Sequence, residues 1–250
     1  MTIPAYLPYF VFAGTAVTVI AILYGLHRSL VEAKWPEADR VRTFRASSVL
    51  LLGWLAVTIV LGSLGVYHVA STEIPTIQYG ILLPILAGAL LIWRSETAKR
   101  VIAAVPQPWL VGVQLYRALG VIFLILYATG RLPALFAWPA GIGDIAVGLL
   151  APVVGVAYAQ APRKAASLVA AWNVFGILDL VIAVGTGFAT APSLLQPIEV
   201  QPTSDLMTVL PMVLIPVYLV PLSILLHLAS LAKLRREAPA GNHFGRAVAA

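Results

Sequence analysis

Six residues carry the chemistry available inside the apolar stretches of this chain: Gln114, Arg117, Asp144, Asn173, Asp179 and His227. Each falls within a run of apolar residues long enough to cross a bilayer. An ionised group at the centre of a bilayer costs about 2.5–3.5 kcal/mol, and more without a partner. A cation and two carboxylates held there therefore need one another. One carboxylate can pair with Arg117, and the second, left without a cation, can carry a proton. The amides and the imidazole can hydrogen-bond between helices or to a solute.

The elements that must position these residues follow from the composition. Hydrophobic residues make up 60% of the 250 and charged residues 10%, against roughly 45–50% and about 25% in soluble domains. So few charges cannot coat a water-soluble globule, and an integral membrane protein is expected. Seven apolar segments meet the requirement of about 17–25 residues per helical crossing: Tyr6–Leu26, Ser47–Val69, Ile74–Trp93, Trp109–Thr129, Ala137–Tyr158, Ala165–Phe188 and Met207–Leu231. The fold class is thus an all-α polytopic bundle of seven transmembrane helices, one domain over residues 1–236. A tail over 237–250, without apolar periodicity, is expected to be disordered. The longest connectors fall near residues 28–46 and 189–206.

The net charge of +6 is a bias of the loops and not a nucleic-acid footprint, because the basic residues are sorted by side. Arg28, Lys34, Arg40, Arg42 and Arg45 lie in the first loop, Arg94, Lys99 and Arg100 in the third, Arg163 and Lys164 in the fifth. Lys233, Arg235, Arg236 and Arg246 lie near the C-terminus, so that 14 of the 16 basic residues fall on one side. The positive-inside rule then predicts an N-out, C-in protein of a cell's inner, cytoplasmic membrane. Trp93, Trp109, Trp138 and Tyr158 sit at span ends, where interfacial aromatics belong. The N-terminus has no basic stretch before its apolar run, so the first span is expected to be retained.

A rise of about 1.5 Å per residue places Asp144 and Asp179 at one level, roughly 9 Å below the outer face. Arg117 falls near the midplane, and Gln114, Asn173 and His227 roughly 9–12 Å from the inner face. Gly141, Asp144, Gly148 and Pro152 share one face of the fifth span, and Gly176, Asp179, Ala183 and Gly187 one face of the sixth. Such faces let backbones approach closely or leave room for a ligand. In the seventh span Pro211, Pro216 and Pro221 free carbonyls at steps of five, so its outer half is expected to be irregular.

Two readings remain open on these residues. In one, Arg117 forms a structural ion pair, with Asp179 the expected partner, and the amides tie helices together. In the other, the cluster binds a solute or a proton. Trp54 and Trp172 fall at similar points of the second and sixth spans, a faint sign of a three-plus-one-plus-three repeat.

Gly141-Ile142-Gly143-Asp144 resembles the Gly-x-Gly-Asp motif of presenilin-like and prepilin-peptidase-like intramembrane aspartyl proteases. That resemblance implies a second catalytic carboxylate, for which Asp179 is available. In those families the motif aspartate is the later of the pair, whereas here it is the earlier. A haem protein would need paired axial ligands, but His68 and His227 fall at different levels; His27 with His227 is the remaining combination. Retinal would need a mid-span lysine, and Lys233 lies at the end of its span. There is no cysteine, which removes disulfides and thiolate metal sites. Neither a metal nor a cofactor is expected, and nucleotide-binding glycine motifs are absent.

The stretches Gln114–Arg117, PAGIGD (139–144), WNVFGILDL (172–180) and VPLSILLHLASL (220–231) resemble a widespread group of bacterial seven-span membrane proteins without an established activity. The resemblance supports the topology and adds no mechanism. The leading expectation is a small-solute or proton-linked carrier, or a ligand-binding membrane protein, centred on Arg117, Asp144 and Asp179. A structural or assembly subunit is the alternative, with an enzyme third. Expected partners are the lipid bilayer, a small solute or proton, and another membrane protein or a second copy of the chain.

Overall fold

The computed structural model describes residues 4–237. The tail 237–250 lies outside the described residues apart from Glu237, which closes the last helix. The described residues form helices joined by turns and irregular segments, with no strand among them. Seven helices are long and apolar enough to cross a membrane: Tyr6–Glu32, Glu37–Ser63, Ile77–Arg94, Gln107–Ala128, Ala134–Gln160, Pro162–Thr190 and Ile215–Glu237. The chain is an all-helical multi-pass membrane protein. Seven crossings place the first and last spans' free ends on opposite faces, termed the N face and the C face.

The boundaries depart from the sequence expectation in three places. The connector expected over 28–46 is largely helical, because the first helix runs to Glu32 and the second starts at Glu37. Charged residues with good helix propensity carry both helices beyond the apolar core, and four residues turn the chain, with Lys34 at a positive φ of 54°. The third loop folds into a short helix, Glu96–Ala104, whose N-cap Ser95 accepts from the backbone N–H of Ala98. The seventh span begins at Ile215 and not Met207. Residues 209–213, with Pro211 among them, are turn-like, and Ile215–Leu219 is a π-helical turn containing Pro216.

The last four spans form the centre. The fifth packs along both the fourth and the sixth, and the seventh closes against the third, fourth and sixth. The second and third spans bury little of themselves and present most of their surface outward. Two apolar layers stack along this centre. Toward the N face lie Ile122, Phe123, Phe136, Ala140 and Met212, joined by Leu7 and Val11 of the first span. Toward the C face lie Val111, Val147, Val154, Val169 and Trp172. The polar residues of the fourth, fifth and sixth spans fall between these layers. Each layer lines one end of the polar zone with apolar side chains, and such low-dielectric surroundings strengthen the charge interactions inside it.

The middle of the fourth span, Val113–Gly120, winds as a tightened 3₁₀ segment that carries Gln114 and Arg117. Such a stretch inside a helix is uncommon beyond one turn. Close approach of the fifth span accompanies it: a Cβ on Gly148 would lie 2.3 Å from the backbone nitrogen of Ala118. Only hydrogen fits there.

Candidate functional site

Arg117 is buried, and every nitrogen of its guanidinium is engaged. Nε donates to Asp144 Oδ1 at 2.7 Å, and Nη2 donates to Asp179 Oδ2. Nη1 donates to the carbonyl of Gly176 at 3.2 Å and to Nε2 of His227 at 3.1 Å. The expectation of one paired and one cation-less carboxylate is therefore corrected. A planar guanidinium presents donors on two edges, so one arginine serves carboxylates on two neighbouring helices at once. With both carboxylates ionised, the three side chains carry a net charge of −1.

The arginine also fixes the state of His227. A guanidinium can only donate, so His227 Nε2 must accept and the ring must be neutral with its proton on Nδ1. Nδ1 then donates to Asn173 Oδ1 at 2.9 Å. Asn173 Nδ2 donates in turn to Ser230 Oγ at 2.8 Å and to the Val169 carbonyl at 2.8 Å. Ser230 Oγ also receives Gln107 Nε2 at 2.6 Å. One connected line of hydrogen bonds thus runs from the carboxylates toward the C face through the fourth, sixth and seventh spans. Both ring nitrogens of His227 are engaged in it, which leaves none for a haem iron.

Of the six residues singled out from the sequence, five join this network, and Gln114 stands beside it. Gln114 donates to the Ser223 carbonyl at 3.1 Å and receives Ser223 Oγ–H at 3.0 Å. Tyr116 OH hydrogen-bonds Ser223 Oγ and donates to the Leu219 carbonyl at 3.3 Å. The proline-rich start of the seventh span finds its partners in this way, from the fourth span and, through Tyr218 OH to the Leu51 carbonyl at 3.1 Å, from the second.

Glycines set the spacing of the cluster. A Cβ on Gly143 would lie 1.6 Å from Asp179 Oδ1, and one on Gly176 would lie 2.4 Å from His227 Nε2. The Gly-x-Gly-Asp stretch therefore has a packing reason: Gly143 leaves the space that Asp179 occupies. The face expected from Gly141, Asp144 and Gly148 is filled by the fourth span and not by open space.

Two cavities meet at Asp144, with volumes of about 50 and 70 Å³. The first lies against the first span and includes Thr15, Tyr116, Arg117 and Ser223 in its wall. The second runs through Phe123, Phe136 and Leu180 to Tyr67, Ser193 and Ser204 near the N face. Asp144 Oδ1 is taken by Arg117, while Oδ2 has no hydrogen-bond partner among the described residues. The second carboxylate oxygen of this ion pair thus lacks a hydrogen-bond partner among the described residues, on a side chain that lines both cavities.

Sequence reasoning missed Tyr116, Ser223, Ser230, Gln107 and Thr15. Single hydroxyls in apolar helices carry little signal, since a serine or threonine can bond to its own preceding turn. The spacing Ser223, His227, Ser230 was available as a polar stripe at steps of four and three. His68, considered for haem, instead lies within 2.9 Å of Thr208 Oγ1 and 3.1 Å of Asp205 Oδ1 at the N face.

No curated protein and no solved structure matches the chain. Residues 74–235 match the family described as Domain of unknown function (DUF8737), a region that spans the third to seventh helices and includes every residue of the Arg117 network. Since that match covers more than half of the chain, the protein belongs to this family.

Proposed function

We propose that the protein is a proton-linked carrier of small solutes, working at Arg117, Asp144 and Asp179. The observation that carries this reading is the unpartnered Oδ2 of Asp144 at the junction of two cavities, in a cluster with one positive and two negative groups. A proton on Asp144 neutralises the surplus charge, and its loss restores it, so occupancy of the cavities and protonation are coupled. In this reading Asp179 and Gly176 hold the guanidinium, and His227 and Asn173 orient it from the C-face side. The seventh span, irregular at its N-face end, is the element that opens. The site reading extends to orientation and place: the sorted basic residues argue for N-out, C-in insertion in a bacterial inner membrane.

A purely structural tie is the second reading, favoured by the complete hydrogen bonding of Arg117. Infrared difference spectroscopy between mildly acidic and mildly alkaline buffer separates the two. A carrier shows a carboxylic C=O band that disappears in Asp144→Asn and survives in Asp205→Asn at the N face. A structural tie keeps both carboxylates ionised across that range and shows no such band, which would overturn the proposal.

A further inference from the structure

Resting on that reading, we infer that the site takes a small hydrophobic amine in its protonated form. The ammonium would sit at Asp144 and Thr15, with its apolar body in the cavity that runs toward the N face.

Thr15 supplies an observation independent of the charges. Its Oγ1 is buried without a hydrogen-bond partner among the described residues, and Thr15 lines the same cavity as Asp144. The neighbouring Thr18 has no such deficit, because its hydroxyl donates to the Gly14 carbonyl at 2.8 Å. An unmet buried hydroxyl carries a desolvation penalty that a ligand's N–H removes. Asp144 Oδ2 offers the second acceptor. Two acceptors lining one cavity and a formal charge of −1 describe a site for a monocation with N–H groups. An anion is disfavoured, since each guanidinium nitrogen of Arg117 is already bonded within the protein. A bare metal ion is disfavoured by the walls, where the apolar Phe10, Ile122, Phe123 and Leu180 line the same cavity as the acceptors. Hard cations need several oxygen ligands. The second cavity adds Phe136 and Phe188, so its lining is apolar, the character an aromatic or short alkyl body requires.

Binding is an exchange with balanced charge. A protonated Asp144 gives up its proton to solvent as the ammonium arrives, the carboxylate–ammonium pair forms, and one proton is released per amine bound. Affinity therefore rises with pH until the amine itself loses its proton.

The test is calorimetry on the full chain in detergent with 2-phenylethylamine, in two buffers of different ionisation enthalpy. The neutral 3-phenylpropanol serves as control. The amine is expected to bind with proton release and the alcohol much more weakly. Asp144→Asn should weaken amine binding by roughly ten- to a hundredfold, the range for losing a charge-assisted hydrogen bond. Thr15→Val should weaken it about two- to tenfold, and Thr18→Val should leave it unchanged. If Asp144→Asn does not fold, Thr15→Val against Thr18→Val still decides. Equal binding of amine and alcohol, or amine binding indifferent to Thr15, overturns the inference. Absence of amine binding while the Asp144 infrared band persists overturns it and spares the proton-linked reading; absence of both removes the two together.

Discussion

At the scale of residues, Arg117 joins two helices that would otherwise repel through their carboxylates. Arg117→Leu would leave Asp144 and Asp179 facing each other in a zone closed by apolar layers on both sides. Removing one partner of a buried charge pair costs about 3–5 kcal/mol, chiefly because the remaining charge is unpaired. The prediction is a large fall in thermal stability in detergent, partly recovered in Arg117→Leu with Asp144→Asn and more fully when Asp179→Asn is added. If neither added replacement raises the melting temperature above that of Arg117→Leu, the carboxylates do not depend on the arginine. The glycines give a cleaner steric prediction. Gly148→Ala drives a methyl into the backbone of Ala118, which cannot turn aside, and should cost about 1–3 kcal/mol as overpacking. Gly53 has nothing within 4 Å of an added Cβ, so Gly53→Ala should be neutral or slightly stabilising through helix propensity. Equal melting temperatures for the two variants would contradict the close approach of the fourth and fifth spans.

At the scale of elements, the seven helices were legible because each needs a continuous apolar run, and composition reports that directly. The irregular start of the seventh span was legible in part. Its prolines announced irregular backbone, but the bonds that hold it, Tyr116 OH to the Leu219 carbonyl and Tyr218 OH to the Leu51 carbonyl of the second span, depend on tertiary packing. The tightened middle of the fourth span left no readable mark, since Val113–Gly120 has the composition of an ordinary helix. The ion pair expected between Arg117 and Asp179 is present; that Asp144 shares the same cation was missed, because one cation was counted against one carboxylate. A guanidinium on its long stem spans the gap between a midplane residue and carboxylates nearer the N face. The dependence of the seventh span on the fourth is testable by hydrogen exchange. Tyr116→Phe removes the hydroxyl contacts to Ser223 and the Leu219 carbonyl, so amides over residues 215–223 should exchange faster, while those of the fifth span should not change. Unchanged exchange at residues 215–223 would mean that the π-helical turn is held by packing alone.

At the scale of the whole molecule, the two faces differ in charge and in shape. The N face carries the connector between the sixth and seventh spans, where Ser204 Oγ donates to the Gly187 carbonyl at 2.7 Å and Leu194 N–H to the Glu73 carbonyl at 2.9 Å. These bonds gather several loops around the mouth of the larger cavity. The C face carries the basic helix ends, and Lys233 there donates to the Ala103 carbonyl at 2.7 Å, fastening the last helix to the short helix Glu96–Ala104. If the basic face is cytoplasmic, the larger cavity opens to the outside, and a solute in it meets the Arg117 network before it meets the cell interior. Gln201 and Lys164 lie on opposite faces, and both are exposed. With no native cysteine, Gln201→Cys and Lys164→Cys give single reporters. In intact cells a membrane-impermeant maleimide should label Cys at 201 and leave Cys at 164 until the membrane is permeabilised. The reverse pattern would turn the protein over, place the larger cavity toward the cytoplasm, and change the proposed carrier from one loaded from outside to one loaded from within.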